Sequence, residues 1–468
     1  MTAHTVDSAP LERFGYRQEL RRTLSSGDLV IYGLIYMVVI APMGIFGSVF
    51  QASGGMVALA YAIGMVAMMV TASSYGLMAQ AYPMAGSVYT YAGRAIAPWV
   101  GFLAGWTILL DYVLVPGLLS LIAAASMASV VPAVPVWAWI VVFVVVNAVL
   151  NLFGIKTTRL LNKMFLIGQL AILAIYVGAA IMALATGRGR GFSWEPIYSS
   201  SQFQWGVLAT AASVATLSFL GFDALSTLAE DAEGGPRQVS RAMVAALGIT
   251  GLVFIAQTFL AALLVEDPGG LIAQGDPAGT AFFETARVAA GSWLATLTAL
   301  ATALAWGLAN NMVAQVGTSR LLYAMARDRQ LPAFLARVSI RRSVPANGIL
   351  LTAAVSLALG LTMASRDDGI SLLASLVNFG AILSFIVVHL SVLAYRIRVG
   401  RRAGGAVRTV LLPVVGVLIL SGIIVNANIL AQRAGLAWLG VGVLILLVLI
   451  ATGRRPYLAG LDRAGHRA

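Results

Sequence analysis

The chain has 468 residues, of which 60% are hydrophobic and 10% are charged, with a formal net charge of +12 and no cysteine. Soluble globular domains carry roughly 45–50% apolar and about 25% charged residues, so this composition excludes an aqueous globular fold. The lack of cysteine excludes disulfides and thiolate catalysis. The basic residues lie in short segments between apolar runs, which indicates a membrane protein with a fixed orientation and argues against nucleic-acid binding.

Apolar runs punctuated by glycine, proline and charge predict about twelve transmembrane helices, and therefore an all-α polytopic membrane protein. In chain order, the predicted spans are 28–50, 56–80, 97–128, 134–154, 162–186, 205–229, 242–265, 290–320, 347–365, 371–395, 409–428 and 434–452. A polar external segment, 266–291, follows the seventh span and has room for a short helix. The transporter domain covers 27–453, between predicted cytoplasmic tails at 1–26 and 454–468.

The basic residues fall mainly on one side of these spans. An even number of spans places both termini on the same side, and a cytoplasmic N-terminus assigns 25 of the 30 Lys and Arg residues to the cytoplasm. The five on the other side are Arg188, Arg190, Arg287, Arg366 and Arg433. This excess predicts cytoplasmic termini in a bacterial inner membrane. Residues 1–24 are polar, so we expect the first span to act as the insertion signal in place of a cleaved signal peptide.

Two spans contain residues that interrupt a helix near mid-membrane. The first carries Pro42, followed by Gly44 and Gly47, and the sixth carries Gly221 just before Asp223. Proline removes a backbone donor, and glycine loosens the turn around it. Broken helices at corresponding positions in two halves of a transporter indicate its binding site.

These breaks fall in the first span of two five-span halves, 27–186 and 205–395. Five is an odd number, so the second half is predicted to be inverted in the membrane relative to the first. Two further helices, within 409–453, complete the predicted domain.

Two carboxylates, Asp111 and Asp223, stand within predicted spans with no Lys or Arg at their depth. A charge at the bilayer centre costs at least ~2.5–3.5 kcal/mol, so it normally faces a polar cavity. A cationic substrate or a transported proton would neutralise them, and a protonated, purely structural Asp is the alternative.

Weaker polar candidates lie in the eighth and tenth spans. His389 is either a proton shuttle or a neutral hydrogen-bonded side chain. Asn310, Asn311 and Gln315 are more typical of hydrogen bonds between helices.

Motifs of enzymatic chemistry are missing from the sequence. It contains no phosphate-binding loop, no zinc-binding His-Glu-x-x-His pattern and no nucleophile elbow. We therefore expect neither enzymatic activity nor a cofactor or metal.

Several ordered motifs resemble the amino acid–polyamine–organocation superfamily of permeases over roughly 17–450. They are 42–46 (PMGIF), 82–91 (YPMAGSVYTY), 101–106 (GFLAGW), 221–223 (GFD) with Glu230, and 319–328 (SRLLYAMARD). The resemblance implies a five-plus-five inverted-repeat fold, similar to the leucine-transporter fold, with helices 1 and 6 broken and two extra C-terminal helices. Within the superfamily, 110–112 (LDY) with Pro116, 219–223 (FLGFD) and 378–380 (NFG) resemble bacterial putrescine importers.

Two positions depart from the pattern that the resemblance implies. Amino-acid members typically have glycine at the place of Pro42, where exposed amides bind the substrate carboxylate, and proline has no amide hydrogen. Some proton-coupled relatives carry lysine in helix 5 where Gln169 stands here.

The sequence thus predicts a secondary active transporter that imports a small cationic amine, putrescine or a related polyamine, with protons as the expected coupling ion and lipids as its surroundings. Asp111 and Asp223 would meet the two ammonium groups, while Tyr112, Phe219 and Phe222 would line the methylene chain or offer cation–π contact. The expected substrate-binding residues are Ile40, Ala41, Met43, Gly44, Asp111, Tyr112, Phe219, Gly221, Phe222 and Asp223.

The alternatives are a permease for zwitterionic or cationic amino acids and a non-transporting receptor or scaffold. The amino-acid permease would use one carboxylate for the substrate amine and the amides after Pro42 for its carboxylate. The receptor would not need two aligned breaks and unpaired carboxylates. The exact substrate, the ion stoichiometry and the oligomeric state stay open at this stage.

Overall fold

The computed structural model describes residues 24–82, 87–153, 159–230, 232–327, 330–339, 344–400 and 404–452. The predicted C-terminal tail, the N-terminal tail before residue 24 and parts of the motifs at 82–91 and 319–328 lie outside these residues.

The described residues form α-helices almost throughout. The first nine are α1 (Ser26–Met37), α2 (Pro42–Ala52), α3 (Val57–Ala81), α4 (Ser87–Ala95), α5 (Pro98–Val130), α6 (Val136–Leu152), α7 (Arg159–Ala185), α8 (Trp205–Ala215) and α9 (Gly235–Leu263). The remaining eight are α10 (Pro268–Gln274), α11 (Ala281–Ala290), α12 (Ser292–Leu304), α13 (Asn311–Arg327), α14 (Ala346–Ala364), α15 (Gly369–Val399), α16 (Leu412–Val425) and α17 (Ile429–Ala451).

Short stretches of other helical types connect or extend these helices. Two 3₁₀ segments, Thr216–Phe219 and Phe222–Glu230, follow α8, and a third covers Ala333–Ala336. A π-helical turn, Ala305–Asn310, joins α12 to α13, and another, Val407–Leu411, precedes α16.

The helix lengths confirm an all-helical, multi-pass membrane protein. In the described part of the chain, nine helices are long and apolar enough to cross a membrane, and α1 with α2 is a tenth candidate if the bent pair counts as one span. The apolar helices α6 and α8, the latter with its 3₁₀ extension, are shorter. The helix bounds lie within a few residues of most predicted spans, although α9 begins seven residues before the predicted 242. The segment 266–291, which was predicted to be external, holds two short helices, α10 and α11, where one was expected.

Helix α5 lies at the centre of the bundle, with 83% of its most apolar stretch buried. Helix α15 packs along it through Gly380, where a Cβ atom would come within 2.8 Å of the Thr107 carbonyl oxygen. Glycine is needed there because the two backbones approach so closely. The same Cβ atom would lie 3.0 Å from the Asp111 backbone nitrogen, so α15 contacts α5 at the turn that carries Asp111.

Candidate functional site

The chain leaves helical geometry between α1 and α2, where the sequence predicts a break. The two helices meet at an angle of 60° across residues 38–41. Val38 has φ 51°, the only positive φ of a non-glycine residue among those described. Pro42 begins α2, a position that suits proline because the first amide of a helix has no acceptor within it.

The amides that follow this break are already used within the turn. The Met43 N–H donates to the Ile40 carbonyl oxygen at 3.0 Å, and the Gly44 N–H donates to that of Ala41 at 3.1 Å. Pro42 contributes no N–H. The beginning of α2 therefore offers fewer free donors for an anion than an ordinary helix N-terminus does.

The second break follows α8. The chain tightens into the 3₁₀ segment Thr216–Phe219, extends at Leu220, and reverses at Gly221, which has φ 105°. Side chains rarely adopt this φ, so glycine suits the position. A Cβ atom on Gly221 would also lie 2.8 Å from the carbonyl oxygen of Tyr36, near the end of α1. The two breaks are therefore in direct contact.

A cavity of about 140 Å³ lies where the two breaks meet α5, the π-helical turn and α13. That volume is well above the ~10–15 Å³ needed to hold one water molecule. Its lining residues are Tyr36, Met37, Ala41, Asp111, Tyr112, Val115, Leu119, Leu217, Ser218, Leu220, Gly221, Asp223, Ala224, Trp306, Asn310, Val313, Ala314 and Gly317. Five of the ten predicted site residues belong to this set, namely Ala41, Asp111, Tyr112, Gly221 and Asp223.

The other five predicted residues pack beside the cavity without lining it. Ile40 and Met43 are buried in the core, and Gly44 lets α2 pack against Ile122, which a Cβ atom would approach to 2.6 Å. Phe219 packs against Tyr61 and Phe254, with ring centroids 6.2 and 5.1 Å away. Phe222 packs against Tyr75 and Phe385, at 5.7 and 5.4 Å. The two phenylalanines thus anchor the chain on either side of Gly221, because apolar rings gain most from complete burial.

The two carboxylates reach the cavity from different elements. Asp111 lies on α5 and is 7% exposed, and its Oδ1 atom has no hydrogen-bond partner among the described residues. Asp223 lies in the first turn of the second 3₁₀ segment, is 6% exposed, and interacts with the backbone N–H groups of Gly221 and Ala224. The two carboxyl groups are close enough for their charges to interact. A cation between them would offset the cost of burying both charges.

The Tyr112 backbone is held at a proline inside α5. Pro116 lies inside this helix and cannot donate to the Tyr112 carbonyl oxygen four residues earlier. The Thr318 hydroxyl group of α13 donates to that oxygen instead, at 2.5 Å. The hydrogen bond ties α13 to α5 beside the cavity.

Sequence reasoning missed most of the remaining lining residues. Tyr36 and Met37 come just before the first break, so their position along the chain was a usable signal. Trp306 and Asn310 lie in the π-helical turn, which no sequence pattern predicted. Asn310 was considered as a polar candidate, but hydrogen bonds between helices were its more typical role, whereas here it lines the cavity. The Trp306 indole N–H is buried and has no hydrogen-bond partner in the described part of the chain.

A second, polar cavity of about 130 Å³ lies among the end of α2, the segment between α10 and α11, and the beginning of α15. Burial raises the pKa of Asp276 in its wall, although hydrogen bonds from the Thr280 and Ala281 N–H groups oppose the shift. The hydrogen bond from the neighbouring Arg366 lowers the pKa of Asp368.

Comparison with known proteins agrees with this architecture. A family model described as "Amino acid permease" matches residues 29–451. The chain is 31% identical to the low-affinity putrescine importer PlaP of Escherichia coli, over 94% of this chain and 96% of the relative. It is 21% identical to the branched-chain amino acid permease BcaP of Bacillus subtilis, over 92% of this chain and 93% of the relative.

A third relative comes from a plant. The chain is 26% identical to the vacuolar cationic amino acid transporter 4 of Arabidopsis thaliana, over 84% of this chain and 66% of the relative. The match to the family model and the likeness to PlaP along nearly the whole of both chains show that this protein belongs to the amino acid permease family, and that it is a secondary transporter and not an enzyme.

Proposed function

We propose that this permease imports a small organic diamine such as putrescine by alternating access. The observation that carries the proposal is that two buried carboxylates, Asp111 and Asp223, line one cavity. The described residues that line it include no Lys, Arg or His. Two buried negative charges without a basic partner fit a substrate with two ammonium groups, because each ammonium forms charge-assisted hydrogen bonds with a carboxylate.

The apolar part of the lining also fits a diamine. Val115, Leu119, Leu217 and Leu220 line the cavity together with the Tyr112 ring. Methylene groups gain about 0.8 kcal/mol each when they are buried against such surfaces. A short carbon chain between two ammonium groups matches this combination of apolar wall and separated charges.

The beginning of α2 favours a diamine over a zwitterionic amino acid. A zwitterion needs donors for its carboxylate, whereas the Met43 and Gly44 amides donate within their own turn and Pro42 has none. The putrescine importer PlaP, at 31% identity, is also a more similar relative than BcaP at 21% or the plant cationic amino acid transporter at 26%.

We extend the proposal to the arrangement of the chain in the membrane. The short helices α6 and α8, counted with the nine long helices and the bent pair, would give twelve spans. The two breaks would then lie in the first spans of two inverted halves, 27–186 and 205–395, with 409–453 added. The bias of the basic residues supports cytoplasmic termini in a bacterial plasma membrane.

Uptake in proteoliposomes tests the substrate. Labelled putrescine should accumulate, and unlabelled putrescine should compete better than monoamines or a panel of amino acids. Saturable uptake of an amino acid without uptake of putrescine would support the amino acid permease and overturn the diamine.

A chemical assay tests where the substrate binds. The chain contains no cysteine, so Ala314→Cys places a unique thiol in the cavity wall. Putrescine should slow its modification by a thiol reagent. The control, Ser201→Cys, places the thiol in an exposed turn between α7 and α8, away from the cavity lining, and it should show no protection. Equal rates with and without putrescine at position 314 would contradict binding in this cavity.

A further inference from the structure

Two irregular segments, the π-helical turn and residues 38–41, and the last turn of α8 before the second break lie next to the cavity. In each of them a backbone carbonyl accepts a hydrogen bond from an amide side chain of another helix. We propose that these side chains, Asn147, Gln257 and Asn378, are positioning residues that hold the cavity wall in its binding geometry. We call them the amide clamps. None of the three lines the cavity, so they would affect a bound substrate only through the backbone that they hold.

Asn147 of α6 holds the π-helical turn. The Asn311 N–H donates to the Trp306 carbonyl oxygen, which is the i to i−5 pattern of a π-turn, so the Gly307 carbonyl loses its α-helical donor. The Asn147 Nδ2 atom donates to that carbonyl at 2.7 Å and to the Phe143 carbonyl of its own helix at 2.7 Å. The clamp therefore secures the turn that carries the lining residues Trp306 and Asn310.

Gln257 of α9 holds the first break. Its Nε2 atom donates to the Val39 carbonyl oxygen at 3.0 Å and to the Val253 carbonyl of its own helix at 3.3 Å. Val39 lies among residues 38–41, between the cavity-lining Met37 and Ala41. The side chain thus spans from a regular helix to the unwound segment.

Asn378 of α15 holds the chain just before the second break. Its Nδ2 atom donates to the Ser213 carbonyl oxygen and lies 3.5 Å from that of Val214. Both carbonyls belong to the last turn of α8, where the change to 3₁₀ geometry at Thr216 disturbs the α-helical pairing.

The three clamps share their surroundings as well as their chemistry. Asn147 is 1% exposed and the other two are fully buried. The side-chain oxygen of each has no hydrogen-bond partner among the described residues, so the contact is made by the amide hydrogens. Inside a membrane protein no bulk water replaces a lost donor, and a freed carbonyl must find one within the protein. Each clamp therefore stabilises the backbone at or next to one of the breaks or the π-turn.

Asn151 provides a matched control on the same helix as Asn147. It is 2% exposed, and its Nδ2 atom donates to Gln315 Oε1 at 2.6 Å and to the Met312 carbonyl at 3.3 Å. Both partners lie in regular helix α13, and neither lines the cavity. Loss of this bond removes a similar amide contact without releasing the π-turn.

Transport kinetics give the first test, which rests on the proposed diamine substrate. Asn147→Leu, Gln257→Met and Asn378→Leu should each raise the KM for putrescine about tenfold, the effect expected of one lost hydrogen bond. Asn151→Leu should leave KM unchanged at a similar melting temperature in detergent. Equal KM values for the clamp variants and Asn151→Leu would overturn the proposal.

A smaller substitution guards against loss of folding. The side chain in Asn147→Ser still bonds its own helix at Phe143 but cannot reach Gly307. It should raise KM as Asn147→Leu does, and a wild-type KM would count against the clamp.

A second measurement needs no substrate, so it tests the clamps independently of the proposed diamine transport. Asn310→Cys places a unique thiol in the π-turn. Its modification rate should change when Asn147→Leu is added and stay the same when Asn151→Leu is added. A rate that responds to neither substitution would refute the clamp, whereas a changed rate without putrescine transport would refute only the diamine.

Discussion

Gly221 lies against the backbone of Tyr36, so that a single added carbon atom would approach the Tyr36 carbonyl oxygen to 2.8 Å. The contact joins the break that follows α8 to the end of α1. It also closes one side of the cavity, since both residues line it. The geometry of the site therefore depends on the absence of a side chain at position 221.

Gly221→Ala should lower the rate of transport, although the protein should still insert into the membrane. The positive φ would cost alanine about 1–3 kcal/mol, and the new methyl group would push α1 away from the break. Uptake by purified protein in proteoliposomes measures the loss. Gly248→Ala on α9, where an added Cβ meets nothing within 4 Å, serves as the control. Wild-type uptake by Gly221→Ala would mean that the contact between the breaks is dispensable.

Asp223→Asn should weaken substrate binding by about 10–150-fold. The substitution keeps the size of the side chain but removes its charge, and a charge-assisted hydrogen bond contributes roughly 1.5–3 kcal/mol. Binding to detergent-solubilised protein measures the affinity directly. Asp267→Asn is the control. Asp267 caps the beginning of α10 by accepting a hydrogen bond from the Gly270 N–H, and the variant should bind substrate normally, because Asn caps as well as Asp.

Asp111→Asn distinguishes the two candidate substrate classes. For a diamine it should weaken binding as much as Asp223→Asn does, since each carboxylate meets one ammonium group. For a substrate with one amine it should matter less. If Asp223→Asn matches the wild type in affinity and rate, the carboxylate is structural and the site assignment fails.

The distribution of basic residues predicts the orientation of the chain. Reporter fusions at Arg188 and Arg342 should report the periplasm and the cytoplasm, respectively, because 25 of the 30 Lys and Arg residues fall on the cytoplasmic side of the predicted spans. The opposite pattern would overturn the orientation. The same side for both fusions would overturn the span assignment between them.

Transport should depend on an ion gradient or on exchange. The sequence contains no ATP-binding loop, so a protonophore should depress uptake if protons supply the energy. Proteoliposomes with an imposed pH gradient, compared with vesicles without one, measure the coupling. Accumulation that persists with no ion gradient and no counter-substrate would contradict a secondary mechanism.

Local sequence determined the helices and the positions of their breaks. Apolar runs of membrane-spanning length predicted most helix bounds to within a few residues, because a lipid environment demands continuous apolar helices. Pro42 and Gly221 marked the breaks because their backbone restrictions act within a few residues of the chain. The carboxylates Asp111 and Asp223 stood out because a charge within a span is costly wherever it faces.

Only the tertiary structure decided which side chains face the cavity. Phe219 and Phe222 flank the break in sequence, yet they pack into aromatic clusters on α3, α9 and α15. Trp306 and Asn310 enter the wall through a π-turn held by Asn147, which lies 160 residues from Gly307 in the chain. The face that each helix turns toward the cavity, and the donors that bond its unpaired carbonyl groups, depend on residues distant in sequence. No local sequence pattern identifies those residues.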